Sequence, residues 1–183
     1  MRKRLTTIFG AVTCFVGMTV NATPATTTLY YIGEAITTSN SRVERHPFLL
    51  ARTSDVDHNT ISETVVSFDG QAKMFKENSS VLKIDQNHFT LTEPTGSITG
   101  TGELTGLPWQ WTFLKAEFKA PKLGLRIIDY NFFAEPGLIL GHKDLYLQNK
   151  TGTGETLATQ EDVVLRSVDK PTFDSKRSEL LGH

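Results

Sequence analysis

The chain has 183 residues, a formal net charge of −1 and one cysteine, Cys14. This length suffices for one domain with a substantial core. The 19 Lys and Arg are balanced by 20 Asp and Glu, and they form no concentrated basic surface, which excludes nucleic acid and anionic lipid as primary partners.

The N-terminal residues have the pattern of a secretory signal peptide. The positive cluster Met1-Arg2-Lys3-Arg4 precedes an uncharged stretch, and Val20-Asn21-Ala22 places aliphatic or small side chains where signal peptidase reads the chain. No run in the sequence is apolar enough over about 20 residues to cross a bilayer. We therefore expect a signal over residues 1–22 and an exported chain, periplasmic or secreted, that lacks cysteine. Acylation of Cys14, which would anchor the product to a membrane, is the alternative.

After a flexible leader over residues 23–28, the pattern becomes one of β-strands. Short runs rich in Thr, Val, Ile, Phe and Tyr are separated by Gly, Pro, Asn and Asp. The predicted runs are 29–37, 46–54, 60–68, 71–77, 80–85, 87–92, 97–105, 107–119, 123–134 with 138–149, and 155–168.

Two of the links between these runs have identifiable turn chemistry. Asp69-Gly70 predicts a two-residue hairpin, because both residues tolerate the positive φ of a type I′ turn. Residues 55–59 place Asp55, Asp57 and Asn59 at alternate positions, as a calcium loop does, but the Gly and the bidentate Glu of that loop are missing. We therefore predict a turn there and no metal site.

Short links between consecutive strands favour antiparallel neighbours. A sheet of eight to ten such strands must cover its edges, so we predict an all-β fold, a single up-and-down β-barrel over residues 29–169. A packed β-sandwich is the alternative. The polar tail, 170–183, is predicted to hold a short helix from Ser175 to Leu181, with Leu180 and Leu181 docking.

The apolar side chains of run 107–119 change face within the run. Trp109, Trp111 and Phe113 alternate with polar residues, whereas from Leu114 onward the apolar parity is shifted by one. Because side chains alternate with period two along a strand, this shift predicts a bulge or bend near Phe113-Leu114.

No pattern for a cofactor, a metal or a catalytic site stands out. The motif Thr-Gly-Thr-Gly-Glu occurs at 99–103 and 151–155 without the helix and lysine of a phosphate loop. Its glycines are therefore interpreted as places where a strand bends or another backbone approaches. Glu103, His142 and Asp144 are the only acid–base candidates, Asp144 sharing a strand face with His142. Catalysis is the weakest interpretation.

Aromatic residues concentrate on two predicted neighbouring runs within residues 109–133. Aromatic walls line small-molecule pockets, although they also fill cores. The predicted ligand-binding residues are Trp109, Trp111, Phe113, Tyr130 and Phe132.

Part of the chain resembles known families of exported barrels. The spacing Gly100-x-Gly102-x-x-x-Gly106-x-x-Trp109-x-Trp111, with Asp129-Tyr130-Asn131-Phe132, resembles lipocalin-like, uncharacterised bacterial envelope proteins over about residues 60–168. Thr101 to Pro108 resembles periplasmic isoprenoid-binding barrels. Both resemblances imply an exported barrel that holds an apolar molecule.

Two functions follow as expectations. The first is a non-enzymatic protein that binds a small hydrophobic or amphipathic, lipid-like ligand inside a barrel. The second is a module with a packed sandwich core whose outer face binds another envelope protein. The sequence makes no prediction of oligomeric state.

Overall fold

Ten strands follow one another along the chain, each antiparallel to the next. The computed structural model describes residues 26–39, 42–70, 72–92, 98–107, 109–121, 124–135, 137–149 and 154–182. The predicted signal peptide and the start of the predicted leader lie outside these residues. The strands are β1 (Thr26–Ser39), β2 (Arg42–Asp55), β3 (Thr60–Asp69), β4 (Met74–Asp85), β5 (His88–Thr92), β6 (Thr99–Leu107), β7 (Gln110–Ala120), β8 (Leu125–Glu135), β9 (Leu138–Gln148) and β10 (Glu155–Val168), followed by helix α1 (Lys170–Leu181).

The sheet closes on itself. β1 pairs with β2 on one side and with β10 on the other, in a register that includes Tyr31 opposite Leu50 and Ala35 opposite Val163. The predicted up-and-down barrel is therefore confirmed, and the two-sheet sandwich is wrong. Closure removes the unpaired edges that an open sheet of this size would present. The predicted runs 71–77 and 80–85 belong to one strand, β4.

Glycines in β6 make room for aromatic rings inside the barrel. A Cβ on Gly100 would lie 2.1 Å from Cδ1 of Phe118, and one on Gly102 would lie 2.3 Å from the ring of Phe89. Phe118 and Phe89 belong to the flanking strands and stand directly opposite these glycines. The first Thr-Gly-Thr-Gly motif is predicted to let a strand bend or another backbone approach, whereas the groups nearest to Gly100 and Gly102 are aromatic rings.

Helix α1 covers part of the outer wall. Three consecutive residues of β2 are buried, Phe48, Leu49 and Leu50, although side chains alternate between the two faces of a strand. Phe48 and Leu50 point into the barrel, and Leu49 points outward, where it packs under the helix. Phe173 is the buried anchor of α1, against Leu49 and Val66.

The helix begins earlier than the sequence predicted. Its N-cap is Asp169, whose Oδ1 accepts a hydrogen bond of 2.9 Å from the backbone N–H of Thr172, so Lys170 to Asp174 are helical as well. Pro171 lies in the first turn, where its missing N–H costs no hydrogen bond. Leu180 and Leu181 dock as predicted.

Two turns show where local signals hold and where they fail. The segment between Asp55 and Thr60 is the predicted turn, and Asp55 accepts the backbone N–H of His58. The predicted two-residue hairpin at Asp69-Gly70 is wrong, because Asp69 pairs with Met74. Among the described residues of this loop, Lys73 is left-handed, with a φ of 54°. Asp69 instead accepts the N–H of Ala72, which stabilises the longer loop.

The predicted bulge in β7 lies one residue before the predicted position. Thr105 pairs with Phe113 and Gly106 with Trp111, so Thr112 is the extra residue. The bulge turns Phe113 to the opposite face from Trp111 and returns Leu114 to the interior, where it is buried.

Candidate functional site

The larger of two interior chambers lies at the end of the barrel that carries the β6–β7 and β8–β9 turns. Its volume of ≈ 540 Å³ is in the range of small-molecule pockets. Most of its lining is aromatic or aliphatic, with Arg52 as the charged exception. Among the lining side chains are Leu29, Tyr31, Arg52, Ser54, Ile61, Trp109, Trp111, Phe133, Leu138 and Ile139.

The two tryptophans of the chain stand together at this chamber. Their ring centroids are 5.1 Å apart. Trp109 has a φ of 63°, a left-handed conformation that is strained for a bulky residue. The indole N–H of Trp111 is buried without a hydrogen-bond acceptor among the described residues, an arrangement that costs about 1–3 kcal/mol.

A smaller chamber of ≈ 220 Å³ lies toward the opposite end of the barrel. Its apolar lining comes from four strands, β3, β5, β7 and β8, and from the residue before β6. Its polar lining comes from the middle of the barrel and from β4. The lining includes Val65, Leu91, Ile98, Phe118 and Ile127 on the apolar side, and Glu63, Asn78, Ser80, Asp129 and Lys143 on the polar side.

Between the chambers lies a group of charged interior side chains, here called the charged belt. Its members are Arg52, Glu63, Asp129, Lys143 and Glu161. Arg52 donates from Nε and Nη2 to Glu63 Oε1, at 2.7 and 2.6 Å, and its guanidinium lies 5.1 Å from the ring centre of Phe133. Arg52 lines the larger chamber and Glu63 the smaller one, so this ion pair forms part of the partition.

Lys143 forms the second ion pair of the charged belt. Its Nζ donates to Glu161 Oε1 at 3.1 Å and lies 5.2 Å from the ring centre of Phe48. Lys143 is deep inside the barrel, yet 32% of its side chain is exposed, because it faces a cavity rather than packed atoms. Burial lowers the pKa of Lys143, but the nearby carboxylates of Glu161, Asp129 and Glu63 raise it more, so the amine stays charged.

Asp129 is the unbalanced member of the charged belt. It is 8% exposed, and its Oδ1 accepts a hydrogen bond of 3.0 Å from Asn131 Nδ2. Within the described part of the chain, no cationic nitrogen lies within 4.0 Å of its carboxylate. Burial raises the pKa of Asp129, and the attraction of Lys143 does not cancel this effect, since Glu63 and Glu161 repel the charged form.

Replacing Asp129 by Asn should stabilise the protein at neutral pH. An aspartate whose folded pKa is raised destabilises the fold above that pKa and has no such effect below its ordinary value of 3.8. We expect Asp129→Asn to raise the free energy of unfolding by about 1–3 kcal/mol at neutral pH, the cost of a buried unsatisfied group. Urea denaturation should show this gain shrinking as the pH falls toward 3.8. A gain that does not change with pH would contradict the assignment of the raised pKa to Asp129.

The predicted ligand-binding residues separate into two groups. Trp109 and Trp111 line the larger chamber. Phe113, Tyr130 and Phe132 lie on the outer wall, where the ring centroids of Phe113 and Phe132 are 4.6 Å apart and Phe132 is 52% exposed. Register explains the division, because Asp129 and Asn131 occupy the inward positions of β8 and the bulge at Thr112 turns Phe113 outward.

The acid–base candidates also lie outside the chambers. His142 Nδ1 is 2.7 Å from Asp162 Oδ1, and His142 Nε2 is 3.3 Å from Asp144 Oδ1. The hydrogen bond with Asp162 raises the pKa of His142. Asp144 is thus on the face of His142, as predicted, whereas Glu103 is on β6, separated from β9 by two strands of the wall.

Sequence reasoning missed the charged belt. The sequence signal was on one face of β8, which carries every second residue of the strand. On that face the polar residues Asp129 and Asn131 lie between the apolar residues Ile127 and Phe133. The aromatic residues at the other parity, Tyr130 and Phe132, favoured the wrong face as the interior.

Of the described residues, no three His, Cys, Asp or Glu side chains form a group suited to a metal ion. No helix in the described ranges is both long enough and apolar enough to cross a bilayer.

Comparison with known proteins shows a likeness of fold. No protein-family model matches the chain, and no curated protein sequence matches it. Among solved structures, it is similar to the S-type phycobiliprotein lyase CPES from Guillardia theta, with 11% sequence identity over 77% of this chain and 88% of that one, at a TM-score of 0.50. At this identity the likeness concerns the fold alone, and it agrees with the lipocalin-like barrel expected from the sequence.

Proposed function

We propose that this protein binds a small hydrophobic or amphipathic molecule inside its barrel, in the larger chamber. The observation that carries the proposal is a cavity of ≈ 540 Å³ walled mainly by aromatic and aliphatic side chains. An apolar molecule that enters it leaves water and gains contacts with rings already in place.

Two features of the tryptophans support this proposal. Trp109 lines the larger chamber from a left-handed turn position that glycine would occupy with less strain. The sequence instead has a large aromatic ring at this position despite the strain. The unpaired indole N–H of Trp111 is a donor that an acceptor on a bound molecule could satisfy after a small movement of the ring. The fold likeness to a phycobiliprotein lyase is consistent with a barrel that receives a small molecule.

We also propose that the protein acts after export, with residues 1–22 removed as a signal peptide. This rests on the sequence pattern of a positive cluster, an apolar stretch and Val20-Asn21-Ala22. Intact-mass measurement of native material should give a chain that begins at Thr23. A chain that begins at a diacylated Cys14 would overturn this proposal.

Tryptophan fluorescence tests binding in the larger chamber directly, since the chain's two tryptophans both line it. Titration with dodecan-1-ol or with N-phenyl-naphthylamine should change the emission saturably. Ser54→Phe, which places a ring in the chamber, should weaken binding about tenfold or more, because the ligand loses the volume that it occupies.

The matched control is Thr53→Phe. Thr53 is the neighbour of Ser54 on β2, and its hydroxyl pairs with Thr28 on the exposed face of the wall. The control variant should bind as the unchanged protein does. The proposal would be contradicted if the unsubstituted protein bound neither probe. It would also be contradicted if Ser54→Phe and Thr53→Phe weakened probe binding equally.

A binding surface for another protein is the second candidate, now on a barrel rather than a sandwich. Its support is the outer patch of Phe113, Phe132, Leu140 and Val164, of which Phe132, Leu140 and Val164 are exposed. Crosslinking in the native envelope should then depend on Phe132 and not on Ser54.

A further inference from the structure

The smaller chamber has the features of a second binding site, and its chemistry differs from that of the larger one. Five of its lining side chains are apolar, and its polar side is formed by three members of the charged belt, Glu63, Asp129 and Lys143, together with polar residues of β4 that include Asn78 and Ser80. It is separated from the larger chamber by the Arg52–Glu63 ion pair.

The charged belt contains three carboxylates and two cations, which leaves one negative charge over. Arg52 is engaged by Glu63, and Lys143 is engaged by Glu161 and the ring of Phe48. Although Lys143 stands opposite Asp129 in the strand register, the two form no ion pair within 4.0 Å. The excess charge is therefore on Asp129.

The Asp129 carboxylate is both buried and adjacent to free space. It is 8% exposed and lines the smaller chamber, and only its Oδ1 has a hydrogen-bond donor among the residues that the structure describes. A buried carboxylate without a cation is costly unless a proton or a bound cation balances it.

We propose that the smaller chamber binds a molecule with a primary ammonium group and a short apolar chain, the ammonium resting against Asp129. The carboxylate supplies the charge-assisted hydrogen bond, and the side-chain oxygens of Asn78 and Ser80 are further acceptors in the lining. The alkyl chain packs among Leu91, Ile127 and Phe118.

An inorganic cation fits this chamber less well than an ammonium group. A hard divalent ion takes six or more oxygen ligands, and the described residues offer no group of three suitable side chains. An ammonium group needs only three acceptors, and its alkyl chain uses the apolar wall.

Calorimetric titration with three probes of equal chain length tests this site. The probes are octylamine, octan-1-ol and octanoic acid at neutral pH. We expect octylamine to bind about tenfold or more tighter than octan-1-ol, because a hydrogen bond to a charged group adds to the shared chain contacts. Octanoic acid should bind more weakly than octan-1-ol, since its carboxylate meets the excess negative charge.

Asp129→Asn removes the charge while its amide oxygen can still accept the hydrogen bond from Asn131. It should reduce the affinity for octylamine to within about twofold of that for octan-1-ol, and leave octan-1-ol binding unchanged, which also shows that the variant is folded. The control is Asp162→Asn, the same charge change at an exposed position of the outer wall, and it should keep the preference for the amine.

The outcomes separate this site from the larger chamber. Equal affinities of the unchanged protein for octylamine and octan-1-ol, or an amine preference that survives Asp129→Asn, would overturn the ammonium site without affecting dye binding in the larger chamber. Ser54 lines only the larger of the two chambers, so Ser54→Phe should leave octylamine binding intact. Loss of octylamine binding in this variant would show that the amine binds in the larger chamber and would overturn the proposal.

Discussion

Arg52→Met should lower the free energy of unfolding by about 3 kcal/mol, because it leaves Glu63 as an unpaired carboxylate inside the barrel. The side chains of Arg52 and Glu63 are 15% and 19% exposed, and their contact of 2.6 Å lies between the two chambers. Denaturation by urea measures the loss. Since Asp129 already leaves one negative charge unbalanced, removal of Arg52 adds a second to the same interior.

A double variant distinguishes loss of the pair from loss of packing. Arg52→Met with Glu63→Leu removes both charges and should recover most of the stability, as replacement of a buried pair by apolar side chains usually does. Arg42→Met provides the comparison, because Arg42 pairs with Glu44 while 80% of its side chain is exposed, and exposed pairs contribute little. Equal losses at Arg52 and Arg42 would contradict a buried role for the Arg52–Glu63 pair.

Phe173→Ala should lower the free energy of unfolding by about 3–5 kcal/mol, the range for a buried Phe replaced by Ala. Phe173 is 3% exposed and fixes α1 over Leu49 and Val66, which are fully buried beneath it. Because the helix has few other buried anchors, we expect it to detach and expose this part of the outer wall. Hydrogen exchange should then show lost protection of the α1 amides while the barrel strands keep theirs.

Ser175→Ala is the control for this substitution. Ser175 is an exposed residue of the same helix, so its replacement should change stability little and leave the α1 amides protected. Protected α1 amides in Phe173→Ala would show that the helix is held by other contacts.

Much of the fold was predictable because strands and turns are specified locally. Alternating apolar residues marked the strands, and the short links between them favoured antiparallel neighbours. Closure followed from the number of strands, since an open sheet of this size exposes its edges. The exceptions were also local. The loop after Asp69 is longer than an Asp-Gly turn, because the Asp69 carboxylate accepts the N–H of Ala72 and Lys73 takes a left-handed conformation.

The candidate site was less predictable because alternation does not say which face is inside. On β8, Tyr130 and Phe132 suggested one face, yet Asp129 and Asn131 occupy the other, inward one. Trp109 and Trp111 were predicted to line an interior pocket, and both line the larger chamber. Phe113 was predicted to line it too, but the bulge at Thr112 turns Phe113 outward.

The sequence by itself determined the all-β class, the order of the strands and the change of parity in β7, because each depends on the period of side chains along one segment. Only the tertiary structure decided that Arg52, Glu63, Asp129, Lys143 and Glu161 meet inside the barrel. These five residues lie on five strands, and they come together only because closure and the register of each pair bring their inward faces to one level. Charge balance is a property of that assembled level, so the excess charge of Asp129 is not visible in any single segment.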